Sequence, residues 1–192
     1  METIFRLQIN VSGLIIIVIL WLSGDRQKAS RLDVDTRLYR GLLLSTGAML
    51  SLDTLTWVFD GEAGSFGRSA VFVANTLYYI AHTIPAGFFI LYADYHIFRD
   101  EKRFAKVIPF LVFVEVLTTV LAVLSPFTGI LFSADKANHY FRGRWFPVFA
   151  FFQYGLLVFI LVRIIYNKKK GASNNLNFIA ISSMCSLESH SF

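Results

Sequence analysis

Ionisable and strongly polar residues stranded in apolar sequence are the first candidates for chemistry, because burial away from water makes each one costly unless it binds or pairs. Asp53, His82 and Glu115 are such residues, each flanked by long apolar runs. Asn75, Tyr78, Tyr79 and His82 recur at intervals of three and four, so on a helix they share one face. Asp53 lies six residues, about 9 Å, from the end of its own run at Phe59. A short connection follows, and helices joined that way pack side by side, which brings Asp53 to the depth of the polar stripe. Such a set does recognition chemistry: an outward-facing polar cavity for a small ligand, an ion or a proton, with Asp53, Asn75, Tyr78 and His82 as the ligand-binding residues. The alternative reading of the same residues is an interhelical hydrogen-bond network that only holds helices together.

Pro85 and Glu115 are the candidate switch or hinge positions. Pro85 has no N–H, leaves the Ala81 carbonyl without its helical partner and tends to kink the helix. Beside it, His82 is either a titratable hinge or a hydrogen-bonded core residue. Glu115 lies about 12 Å from the inner end of its run and is either protonated or held by a partner on another helix. Asp94 and His96, in YADYHIFRDEKR, fall at a membrane edge where water and basic residues satisfy them. His82 and His96 are fourteen residues apart, about 21 Å along a helix, too far to share a metal ion. The single cysteine, Cys185, excludes a Cys-based metal cluster or an internal disulfide. The chain has no GxSxG, HExxH, CxxC, P-loop, paired-carboxylate or nucleotide-binding glycine pattern. No catalysis, metal or cofactor is therefore expected. Asn10-Val11-Ser12 matches a glycosylation sequon, but so short a match carries little weight.

The elements that position these residues follow from composition. Of 192 residues 55% are hydrophobic and only 16% charged, with a mean hydropathy of +0.57. A soluble domain of this size still exposes roughly a third of its unfolded surface, so one core cannot hide that much apolar side chain, and a bilayer can. The periodicity predicts an all-α polytopic bundle with five membrane spans, at about 7–24, 41–59, 69–96, 107–132 and 145–166. Residues 1–170 form the membrane domain, and 171–192, rich in Ser and Asn, form a flexible cytoplasmic tail, expected to be truncated if the chain is a fragment.

The formal charge of +5 raises the question of nucleic acid, and the positions of the basic residues answer it. Thirteen of the 18 Lys and Arg fall on one side of the five-span arrangement and five on the other. The positive-inside tendency then puts the N-terminus outside and the Lys-rich end in the cytoplasm of a multi-pass cell-membrane protein, with no nucleic-acid partner. DGEAGSFGR, between spans two and three, reads as a tight external turn. SADKANHYFRGR, between spans four and five, is either an ordinary solvated loop or a surface segment covering an external pocket.

Three stretches occur together: LSLDTLTWVFDGEAG from Leu50, FILYADYHIFRDEKRFAK from Phe89 and LSPFTGILFSADKANHYFRGRWF from Leu124. In order and spacing, residues 5–170 resemble the N-terminal multispan membrane sensor region that precedes the GGDEF domain in diguanylate cyclase-like signalling proteins of Firmicutes-type bacteria. The resemblance implies a sensor that passes an external or membrane signal to a cytoplasmic cyclase-type output domain making cyclic di-GMP. This sequence departs from the family in having no GGDEF motif, so it is expected to be a fragment or a stand-alone relative, and not itself an enzyme. The partners implied are the lipid bilayer, a second copy of the chain in a homodimer, and a downstream GGDEF-type output domain. A different class of function, a small transporter or channel subunit using Asp53, His82 and Glu115, remains the alternative.

Overall fold

The computed structural model describes residues 2–25, 34–99, 101–152, 154, 155, 158 and 162. In chain order they form α1 (Glu2–Asp25), α2 (Val34–Phe59), α3 (Gly64–Phe98), a 3-10 turn (Glu101–Arg103), α4 (Phe104–Thr128), β1 (Phe132–Ala134) and β2 (Tyr140–Arg142). Residues 146–152 are helical again and begin α5, to which 154, 155, 158 and 162 also belong. The expected tail over 171–192 lies outside the described residues.

Among the described residues, three helices are long and apolar enough to cross a membrane: α2, α3 over Gly64–His96, and α4. In α1 the apolar stretch Leu7–Ser23 is shorter, about 25 Å against a hydrocarbon core of about 30 Å. Of the five spans expected from the sequence, three are helices that meet the length, α1 falls short of it, and most of the fifth lies outside the described residues. Their surfaces fit a membrane protein: Phe110, Phe113, Val116 and Val120 of α4 stand exposed, Phe113 by 65%, as in a helix solvated by lipid rather than water. Hydroxyls in the helices are satisfied locally. Ser45, Thr46, Ser51, Thr54 and Thr56 of α2 each donate to a carbonyl three or four residues back, the arrangement an apolar solvent requires.

The 35-residue α3, about 52 Å long, is the spine. It packs against both α2 and α4, while α1 packs on α2. At one end Leu38 and Leu42 of α2 meet Phe89, Ile90, Tyr92 and Ala93 of α3 in one apolar cluster, and Arg99 donates to the Asp35 carboxylate. At the other end Tyr79 of α3 and Ala122 of α4 pack with Leu131 and Phe132. The helix assignment of α3 runs unbroken through Pro85.

The fourth span, expected to reach residue 132, stops four residues earlier at Thr128. Gly129 takes a φ of +66° and its N–H closes onto the Ser125 carbonyl at 2.8 Å, the left-handed C-terminal stop that glycine makes without steric cost. The apolar run ILF then leaves the helix, and Leu131 and Phe132 become fully buried. The strands pair antiparallel with Phe132 opposite Arg142 and Ala134 opposite Tyr140. SADKANHYFRGR is therefore neither helical nor a plain loop, and among the described residues the fold departs from all-α by this hairpin. Gly143 anchors its far end, where a Cβ would stand 2.3 Å from the Ile130 carbonyl oxygen.

Candidate functional site

Two stripes face each other at the hairpin end of the bundle. On α2, Asp53, Thr56 and Trp57 follow at i, i+3 and i+4, with Asp60 at i+7 in the turn just past its end; on α3, Asn75, Tyr78, Tyr79 and His82 follow at the same intervals. All eight line one cavity of about 420 Å³, within the roughly 300–1,000 Å³ common for small-molecule sites. Ile9 and Asn10 of α1, Tyr140 to Arg142 of β2, and Phe146, Phe149, Ala150 and Tyr154 of α5 complete its wall.

The structure brings all four sequence-derived ligand-binding candidates, Asp53, Asn75, Tyr78 and His82, into this wall. Their polar contacts are specific. Asn10 Nδ2 donates to Asp53 Oδ2 at 2.6 Å, Thr56 Oγ1 donates to the Asp53 carbonyl at 2.7 Å, and Asn75 Nδ2 donates to the Val71 carbonyl at 2.8 Å. The Tyr79 and Tyr140 hydroxyls share a hydrogen bond of 2.8 Å. The Tyr79 ring is stacked on Phe132 at 5.4 Å and meets the edge of Phe149 at 5.2 Å. The His82 ring lies 5.2 Å from Tyr78 and 5.9 Å from Phe149. Stacked and edge-to-face contacts of this kind fix ring orientation as well as adding attraction.

The hairpin roofs the cavity and is fastened to the α2–α3 turn. Asn138, at φ +64°, donates its amide to the carbonyls of Glu62 at 2.8 Å and Gly64 at 3.2 Å, and its own carbonyl accepts from Gly61 N–H at 3.1 Å. Asp60 Oδ1 accepts from Tyr140 N–H at 2.7 Å, and its other oxygen stands 3.8 Å from His139 Nδ1. Arg68 reaches the Asp135 carbonyl at 3.2 Å. Burial raises the Tyr140 hydroxyl above its ordinary range, so the phenol stays protonated under the hairpin.

Glu115 and Pro85 lie elsewhere. Glu115 of α4 accepts a hydrogen bond from the Thr83 hydroxyl of α3, which supplies the partner its own sequence neighbourhood lacked, and it does not line the cavity. Pro85 is buried two residues beyond Thr83. Among the described residues no group of three or more His, Cys, Asp or Glu converges to hold a metal.

Among the wall residues that sequence reasoning missed are Asn10 and Asp60. Asn10 passed as part of a sequon, since nothing local announces a contact spanning 43 residues. Asp60 passed as loop, although its spacing of seven from Asp53 puts both on one helical face. Comparison of the chain with protein-family models, curated proteins and solved structures finds no match.

Proposed function

We propose that the chain is a multi-pass sensory module of the cell membrane, whose cavity receives a small ligand and whose α3 carries the resulting movement to the opposite end of the bundle. The observation that carries this reading is the convergence of two polar helical stripes on one cavity of about 420 Å³ under a hairpin. Ligand binding there bears on Tyr79, stacked on the roof through Phe132. Tyr79 belongs to the same continuous helix that meets α4 at Thr83–Glu115 and whose C-terminal cap, Arg99, meets α2 at Asp35. A shift of α3 therefore reaches both neighbours away from the site. The likeness of residues 5–170 to the membrane region of GGDEF proteins supplies the signalling half of the proposal: N-terminus outside, five crossings, a homodimer, and a cyclase-type output domain on the cytoplasmic side. The chain itself does no catalysis in this reading.

Glu115 bonds to Thr83 and stands apart from the cavity that holds Asp53 and His82, which favours a sensor over a transport pathway through all three. The test is thermal unfolding of the full chain in nanodiscs against a panel of small cations, anions and neutral metabolites, with uptake measured in proteoliposomes. At least one compound is expected to raise the Tm of the wild type and to leave Asp53→Asn unmoved, without accumulation inside vesicles. No shift by any compound overturns the binding reading; uptake abolished by Asp53→Asn or Glu115→Gln replaces the sensor with a transporter.

A further inference from the structure

A carboxyl group in the middle of an apolar helix can be satisfied in few ways, and the surroundings of Glu115 narrow them to one. It stands eleven residues from the start of α4 at Phe104 and thirteen from its end at Thr128, about 16 and 20 Å, which is mid-depth in a hydrocarbon core of about 30 Å. The helix around it faces outward: Phe113, Val116 and Leu117 are exposed. Its partner is Thr83 of α3, whose hydroxyl donates to it. A hydroxyl carries no charge, so this contact does not balance a carboxylate.

The elements packed on α4 are α3, β1 and the Glu101–Arg103 turn, and among the described residues none of them brings a cation to that level. Strand β1 has no titratable side chain. On α3, Tyr78, Tyr79 and His82 line the cavity, which Glu115 does not. Tyr92 and Asp94 lie nine and eleven residues beyond Thr83, about 13 and 16 Å. Lys106 and the turn residues Glu101, Lys102 and Arg103 precede Glu115 by nine residues or more, at least about 13 Å, at the end that also holds Asp35 and Arg99. An ionised Glu115 would therefore be an uncompensated charge in hydrocarbon. The hydrogen bonds point the same way. Thr83 has one hydroxyl hydrogen and two acceptors in reach, Glu115 Oε2 and the Ile80 carbonyl at 3.4 Å. A proton on Glu115 serves both, since the acid O–H donates to Thr83 Oγ1 while the Thr83 hydrogen turns back to Ile80.

We infer that Glu115 and Thr83 form a proton-binding site at mid-membrane, whose occupancy fastens α4 to α3. Loss of the proton leaves a charge that draws water between the two helices. The site concerns the α3–α4 contact and is independent of what the cavity binds.

The test treats the full chain in nanodiscs with dicyclohexylcarbodiimide, which partitions into hydrocarbon and attacks protonated carboxyls. The acid proton passes to one carbodiimide nitrogen, the carboxylate oxygen bonds to the central carbon, and migration of the acyl group to the other nitrogen leaves a stable N-acylurea, with nothing oxidised or reduced. At neutral pH the adduct is expected on Glu115 at least tenfold faster than on the exposed Glu101 and Asp135, and a water-soluble carbodiimide should give the reverse order. The deuterium-sensitive infrared C=O band of a protonated carboxyl should be present in the unmodified wild type, vanish with the adduct and fall as pH is raised. It should be absent from Glu115→Gln and move to higher frequency in Thr83→Val, which removes its hydrogen-bond acceptor. No adduct on Glu115 while Glu101 reacts, or no such band lost on modification, overturns the site, and both are read in the wild type. A band unmoved in Thr83→Val overturns the pairing with Thr83.

Discussion

At the scale of single residues, Asn138 holds the roof by conformation and by hydrogen bonding together. Its left-handed φ suits Asn or Gly and strains other side chains, and its amide serves two carbonyls of the facing turn. Asn138→Ala is expected to cost about 2 kcal/mol, read as a fall in Tm. Asn138→Gly should lose less, because it keeps the backbone conformation; equal losses would show that the hydrogen bonds alone matter. By contrast Arg99→Ala, at a pair whose guanidinium is half exposed, should change stability by less than about 1 kcal/mol. The polar stripe on α3 was legible because its members repeat within one helix. Asn10 and Asp60 were not, since the first acts across two helices and the second sits just past the last helical residue of α2.

At the scale of elements, α4 and the hairpin divide one continuous apolar sequence. A short run such as ILF reads equally as the end of a buried helix or as a strand, and only Gly129 marked the boundary. Gly143→Ala places a methyl against the carbonyl oxygens of Ile130 and Gly129, at 2.3 and 2.4 Å, neither of which can rotate away. It is expected to destabilise the hairpin by about 1–3 kcal/mol, with faster amide exchange at Leu131 and Gly143 than in the helices. For α4 itself, Phe113→Lys puts a charge on a face exposed by 65%. If that face meets lipid, membrane insertion should weaken by about 2.5–3.5 kcal/mol at mid-depth; an unchanged insertion yield would mean that the face meets water or protein.

At the scale of the whole molecule, the antiparallel course of α2, α3 and α4 sorts the loops to two ends. The Glu101–Arg103 turn lies at the end with Asp35 and Arg99, and the hairpin lies at the other. The sequence reading set these loops on opposite sides by alternating its five spans, and among the described residues three helices meet the length, because apolar content alone does not measure how far α1 extends through hydrocarbon and most of the fifth span lies outside the described residues. In a Cys185→Ser background, Ala137→Cys should be labelled by an impermeant maleimide in intact cells, and Lys102→Cys only after lysis. The reverse pattern would invert the orientation. The hairpin has a consequence for how such a protein diversifies. Its tip is received largely by main-chain atoms, the carbonyls of Glu62 and Gly64 and the N–H of Gly61. The side chain of Glu62 is thus free to drift without unfastening the roof, whereas Gly61 and Gly64, at φ +77° and +86°, and Asp60, which accepts from Tyr140 N–H, are held in place, and the rings beneath the roof can be exchanged separately. Descendants of this chain could retune what they detect and keep the same closing geometry.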